Sequence, residues 1–175
     1  DLVVLAGRPS MGKTALATNI AFSAASGDIK SKKSVAFFSL EMSAEQLANR
    51  ILAEQSGLSS DQIRRGKLSK ENFSSLKNIS EQISGNNLYI DDTPAISVAT
   101  MKTRARRLKR KINDDLSLIV VDYLQLMRGT RRFENRVQEI SEITQGLKSV
   151  AKELNVPVLA LSQLSRAVEQ REDKR

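Results

Sequence analysis

A short apolar run, Leu2-Val3-Val4-Leu5-Ala6, breaks into Gly7-Arg8-Pro9-Ser10-Met11-Gly12-Lys13-Thr14 and then into a helical pattern over 13–25. Few sequence features limit a fold as tightly. The pattern Gly-x-x-x-x-Gly-Lys-Ser/Thr between a strand and a helix is a phosphate cradle. Its small residues let consecutive backbone N–H groups turn inward, and the start of the following helix adds its dipole. Gly12 permits close approach, Lys13 reaches toward the β and γ phosphates, and Thr14 offers a hydroxyl to Mg2+. Gly7, Arg8, Pro9, Ser10, Met11, Gly12, Lys13 and Thr14 are therefore the candidate nucleotide contacts, with ATP and Mg2+ as the ligands to expect.

Further apolar runs at 34–39, 88–91, 117–121 and 157–161 read as strands, and their lack of alternation suits central strands covered on both faces. Between them lie helical patterns. One covers about 44–56, with Ser43 as its N-cap candidate. Another, 97–112, carries Met101, Ala105, Leu108 and Ile112 on one stripe, and 135–154 carries Ile140, Ile143, Leu147, Val150 and Leu154. The stretch 57–87 reads as a helical hairpin inserted between the second and third strands. Strands alternating with helices imply parallel crossovers and a three-layer α/β domain, with a mostly parallel central sheet flanked by helices.

In such a sheet ligands gather at the carboxyl ends of the strands. Leu118-Ile119-Val120-Val121 buries a strand and delivers Asp122 to that rim, where Mg2+ bridged to Thr14 would offset the cost of a partly buried carboxylate. Asp91 and Asp92 are rivals on a shorter strand, but Asp-Asp-Thr-Pro has the composition of a turn and helix cap. Glu41 follows the second strand. It suits a base acting on a water beside the γ-phosphate, with a first-turn acid on the 44–56 helix as the alternative. Gln163 ends the last strand; a neutral amide there could sense the γ-phosphate, or simply face solvent.

Composition removes most other chemistries. The 175 residues include no Cys and no His, which excludes disulfides, thiolate or imidazole catalysis and any Cys/His zinc site. No apolar run is long enough to span a membrane, so a cytoplasmic home is expected. The net charge of +8 favours a polyanionic partner. Seven cations fall within 102–111 (Lys102, Arg104, Arg106, Arg107, Lys109, Arg110 and Lys111), opposite the apolar stripe. They are either a solvated outer face or a contact with a neighbouring subunit or domain. Arg128, Arg131, Arg132 and Arg136 follow the Asp122 strand, and Arg166, Arg171, Lys174 and Arg175 follow the Gln163 strand. Both groups leave the rim that carries the nucleotide chemistry. They contain almost no aromatics, which favours sequence-independent contact with a nucleic-acid backbone over base stacking; an intersubunit arginine finger is the other use.

Five segments together resemble one family, the RecA-like motor domain of the bacterial replicative hexameric DNA helicase (DnaB type). They are Ala6 through Thr14, Phe38-Ser39-Leu40-Glu41-Met42, Tyr89-Ile90-Asp91-Asp92-Thr93-Pro94, Ile119 through Met127, and Leu161-Ser162-Gln163-Leu164-Ser165-Arg166. The resemblance implies catalytic roles for Lys13, Glu41 and Gln163, with Asp122 as the Walker B acid and Gln163 as the γ-phosphate sensor. It also implies ATP-dependent unwinding by a homohexameric ring moving on single-stranded DNA, with primase and a helicase loader as partners. In sheet order the Gln163 strand should lie between the P-loop and Asp122 strands, with the second strand beyond Asp122. The family's N-terminal primase-binding domain, its linker helix, its later strands and its trans arginine finger fall outside these residues. Weak or absent ATPase activity is expected of the 175 residues alone. A RecA-like strand-exchange ATPase forming filaments is the alternative; it shares the site residues but not Asp-Tyr-Leu-Gln-Leu-Met.

Overall fold

The computed structural model describes residues 1–26, 33–66, 68–113, 115–130 and 135–164. Their strands are β1 (Leu2–Gly7), β2 (Ser34–Ser39), β3 (Leu88–Asp91), β4 (Leu116–Asp122) and β5 (Val158–Gln163). The helices are α1 (Lys13–Ala25), α2 (Ala44–Ser56), α3 (Ser60–Arg65), α4 (Lys70–Ser84), α5 (Val98–Lys111) and α6 (Arg136–Leu154), with a 3-10 turn at Leu124–Leu126. The five strands form one parallel sheet in the order β1-β5-β4-β2-β3. This is the three-layer RecA-like arrangement and the expected strand order.

Two cores fill the two sheet faces. One joins Ala17, Ala21 and Ala25 of α1 and Leu47 of α2 to Val35, Phe37, Val120 and Leu161. The other joins Met101 and Ala105 of α5 and Ile143, Leu147 and Val150 of α6 to Phe38, Ile119, Val121 and Ala160. Both predicted helical stripes thus meet the sheet. The small residues of α1 let that helix lie close over the strands. The hairpin expected in 57–87 is α3 and α4, each opened by a serine: Ser59 and Ser69 accept from the backbone N–H groups of Gln62 and Asn72.

β1 departs from the expectation of a strand covered on both faces. Among the described residues it is an outer strand of the sheet, and Val3 and Val4 are 56% and 47% exposed. An uninterrupted apolar run does not report a strand's place in the sheet. The cations of α5 are also less free than an outer face implies. Lys102 and Arg106 share Glu153 of α6, and the Lys109 ammonium donates to the Leu154 carbonyl at 2.7 Å. Arg104 grips Asp91 of β3 through both carboxylate oxygens. Arg107, Arg110 and Lys111 remain exposed. Among the described residues no helix is long and apolar enough to cross a membrane.

Candidate nucleotide site

β1 is pinned to β5 along its length, from Leu2 against Val158 to Gly7 against Gln163. The chain then curls through Ser10 (φ 62) and Gly12 (φ 78), both left-handed, before entering α1. Gly12 is the residue type that takes this backbone without strain, and nothing lies within 4 Å of where its Cβ would be. At Gly7 a Cβ would meet Lys13 Cδ at 3.2 Å, so its bareness lets the lysine stem cross the loop. Lys13 Nζ donates to the Arg8 carbonyl at 2.7 Å.

The first turn of α1 has neither a side-chain cap nor an acid. In contrast, α2, α5 and α6 are capped by Ser43, Ser97 and Asn135. The N–H groups at the start of α1 therefore face a cleft of about 1000 Å³ without a protein acceptor from a cap. The cleft is lined by Lys13, Thr14, Glu41, Asp122 and Gln163, together with Pro9, Ser10 and Gly12. Residues far apart in the chain thus share one space because β1, β2, β4 and β5 run parallel and end on one rim. Gly7, Arg8 and Met11 do not line it. Gly7 sits beneath the Lys13 stem, Arg8 contributes the carbonyl that Lys13 holds, and Met11 is 66% exposed.

Asp122 is 1% exposed, and its Oδ2 has no hydrogen-bond partner. Burial pushes its carboxyl above the ordinary range and the charge of Glu41 adds to this, while the Thr14 hydroxyl, Arg50 and Lys13 pull the other way. An orphaned carboxylate oxygen beside a threonine hydroxyl is a hard, incomplete donor set. It fits Mg2+, whose remaining ligands would be waters and phosphate oxygens. No cluster of three or more His, Cys, Asp or Glu able to hold a metal occurs among the described residues.

Glu41 lies in the turn between β2 and α2, exposed, two residues before the Ser43 cap. The first-turn acid of α2 is Glu45, so the dipole-capping alternative for Glu41 does not match its position. Ser39 Oγ donates to the Met42 carbonyl at 2.7 Å, and the Leu40 N–H donates to the Asp122 carbonyl at 2.8 Å. Those two bonds fix the Glu41 turn beside the β4 tip. The rival acids have other partners. Asp91 is held by Arg104 and by the Thr93 N–H, and Asp92 accepts from the Ala44 N–H at 2.9 Å at the start of α2. Burial raises the Asp91 carboxyl, but its bonds to Arg104 and Thr93 outweigh that and leave it below the usual range.

Arg50 and Glu54 of α2 also line the cleft, and sequence reasoning missed both. They stand four residues apart beside the buried Leu47 and Ile51, a spacing that was visible in the sequence. Asn19 of α1 donates to Glu54, tying the two helices at the cleft wall. Of the cations proposed for nucleic acid, Arg128 is exposed on the loop after β4. The Arg136 guanidinium is half exposed and engages Glu139 and the Gln125 carbonyl. Arg131, Arg132, Arg166, Arg171, Lys174 and Arg175 lie outside the described residues.

A phosphate loop at the tip of β1, with acids and an amide at the tips of three parallel neighbours, defines a RecA-like P-loop domain. The whole chain, residues 1–175, matches the family model of the DnaB-like helicase C terminal domain, and the chain belongs to that family. It is 54% identical over its full length to the replicative DNA helicase DnaB of Rickettsia typhi, spanning 36% of that protein. Two solved structures superpose over the full length of this chain at 36% identity. One is described as an ATPase domain (TM-score 0.90, 61% of that chain). The other is a DnaB-like replicative helicase described with its interactions with primase (TM-score 0.89, 41% of that chain). The chain thus spans little over a third of the length of the curated relative it matches.

Proposed function

We propose that this chain is the ATP-hydrolysing motor of a replicative helicase that assembles as a homohexameric ring and unwinds DNA by moving along a single strand in the cytoplasm. The observation that carries the reading is the shared cleft of Lys13, Thr14, Glu41, Asp122 and Gln163, in a chain of this family. Lys13 would exchange the Arg8 carbonyl for phosphate oxygens and stabilise charge developing on them. Thr14 and the orphaned oxygen of Asp122 would hold Mg2+, which when bound neutralises phosphate charge. Glu41 would take the proton of the attacking water, and Gln163 would report the γ-phosphate to the loops beyond β4 and β5. Arg128 and Arg136, with Arg131, Arg132, Arg166, Arg171, Lys174 and Arg175, would contact the DNA backbone. A primase and a helicase loader are proposed partners, in keeping with the primase interactions described for the similar solved helicase.

The test is ATPase and strand-displacement assay of the full-length protein, with and without a single-stranded 5′ tail. DNA-stimulated turnover and unwinding are expected. Glu41→Gln should bind ATP normally while losing about 10²–10⁴-fold in hydrolysis. Normal hydrolysis in that variant would remove Glu41 from the chemistry. Absence of DNA stimulation in the unmodified protein would reject the motor reading, and electron micrographs showing filaments instead of rings would favour the strand-exchange alternative.

A further inference from the structure

The ladder between β4 and β5 stops early. Its paired residues run from Ile119 against Val158 to Val121 against Ala160. Beyond it, Gln163 still presents a backbone N–H and carbonyl toward the β4 side, and a side chain completes the rung. Gln125, in the 3-10 turn after β4, accepts from the Gln163 N–H through Oε1 at 3.2 Å. Its Nε2 donates to the Gln163 carbonyl and to Ser162 Oγ, each at 3.0 Å. A primary amide carries an acceptor and two donors on one plane, so it can replace a strand's backbone here. Glutamate would set an acceptor against the Gln163 carbonyl, and alanine would leave both backbone groups open.

Gln125 is held in turn from the other side. Its own carbonyl accepts from the Arg136 guanidinium, which also pairs with Glu139. The second oxygen of Glu139 accepts from the Gly129 N–H at 3.1 Å, at the base of the loop that leaves β4. Arg136 first, and the Gly129 N–H second, hold the Glu139 carboxyl below its usual range, so the charged link persists at neutral pH. A continuous set of hydrogen bonds therefore runs from Gln163 in the nucleotide cleft to Gly129, beside the exposed Arg128.

We infer that Gln125 is a positioning residue, fixing the backbone of Gln163 and tying it through Arg136 and Glu139 to the Gly129 turn, so that the phosphate end of the cleft and the base of that loop shift together. This rests on the motor reading above. In the full-length protein, Gln125→Ala and Gln125→Glu should keep the KM for ATP within about twofold and shrink the ratio of DNA-stimulated to basal ATPase by about tenfold. The difference in single-strand affinity between ATP-analogue and ADP states should narrow by a similar factor. Glu139→Ala, at the far end of the link, should reduce the same two ratios, which keeps the test available if a Gln125 variant fails to fold. Unchanged ratios in these variants, or a loss of KM in step with kcat, overturn the role of Gln125 while leaving the motor reading in place. An unmodified protein without DNA stimulation overturns the motor reading and this inference with it.

Discussion

The Lys13 ammonium lies 2.7 Å from the carbonyl oxygen of Arg8, five residues earlier in the same loop. The cradle thus supplies an internal acceptor for the cation at its mouth. The bond is exposed, and its loss should change folding stability by no more than about 0.5 kcal/mol. Lys13→Ala should nevertheless lower ATP turnover by about 10²–10³-fold, because a positioned donor to developing phosphate charge is gone. Thermal melts beside steady-state ATPase rates separate the two effects. Unchanged turnover would remove Lys13 from the proposed chemistry.

Asp122 is buried with one oxygen unpaired, and its carboxyl is raised mainly by that burial. A raised carboxylate favours the fold when protonated. Its stabilising contribution is complete below the unfolded pKa and is lost as pH rises through the higher folded value. Near neutral pH this buried carboxyl is therefore a burden on the nucleotide-free protein. Asp122→Asn should raise the thermal midpoint near neutral pH in chelator, by about 2–4 °C for each kcal/mol relieved. That advantage should shrink as pH falls into the range where the native carboxyl protonates, and ATP hydrolysis should be lost throughout. An asparagine variant less stable than the native protein at neutral pH would show that the unpaired oxygen costs nothing.

Much of this arrangement was legible in the sequence because parallel strands report their own tips. A buried apolar run ending in Asp122 or Gln163 fixes both the strand and the rim on which its last side chain emerges. The loop from Gly7 to Thr14 marks the same rim. What escaped were properties that depend on neighbours in space. Val3 and Val4 read like Val120 and Val121, yet among the described residues β1 is an outer strand and β4 lies in the middle. Arg50 reached the cleft because α2 packs beside α1, a relation no local pattern encodes. Arg104 and Arg136 resemble their fellow cations in sequence, and only the fold sets Asp91, Glu139 and the Gln125 carbonyl beside them.

Exposed cations at the two ends of the sheet should behave differently toward DNA. Arg128 follows β4 at the end of the sheet where the strands terminate, its backbone paired with Ser97 just before α5. Lys111 ends α5, the helix that returns the chain to the start of β4, and so lies toward the opposite edge. Each phosphate contact to a single strand contributes about 0.7 to the slope of log affinity against log salt. Arg128→Ala should weaken single-strand binding and reduce that slope by about this amount, whereas Lys111→Ala should leave it unchanged. Fluorescence anisotropy across a salt series reads both. Equal effects from the two substitutions would indicate diffuse attraction by net charge instead of contact at the rim.

Gly146 lies inside α6, where glycine ordinarily weakens a helix, and packing explains its presence. A Cβ there would meet Val98 Cγ1 at 3.0 Å and Cγ2 at 3.4 Å, at the close approach of α6 to the first turn of α5. Alanine adds helix propensity of about 0.8–1 kcal/mol, set against a contact that Val98 must yield to. The two effects oppose each other, and Gly146→Ala should be close to neutral. Leucine asks more of this contact than alanine does, because its branched end extends from a Cβ position already 3.0 Å from Val98 Cγ1, beside the Arg106–Glu153 pairing that joins the two helices. Gly146→Leu should therefore cost about 1–3 kcal/mol, read as a lower urea midpoint with an unchanged slope. Adding Val98→Ala to Gly146→Leu should recover part of that loss, because it vacates the volume the leucine enters. A double variant no more stable than Gly146→Leu alone would place the strain somewhere other than this helix contact.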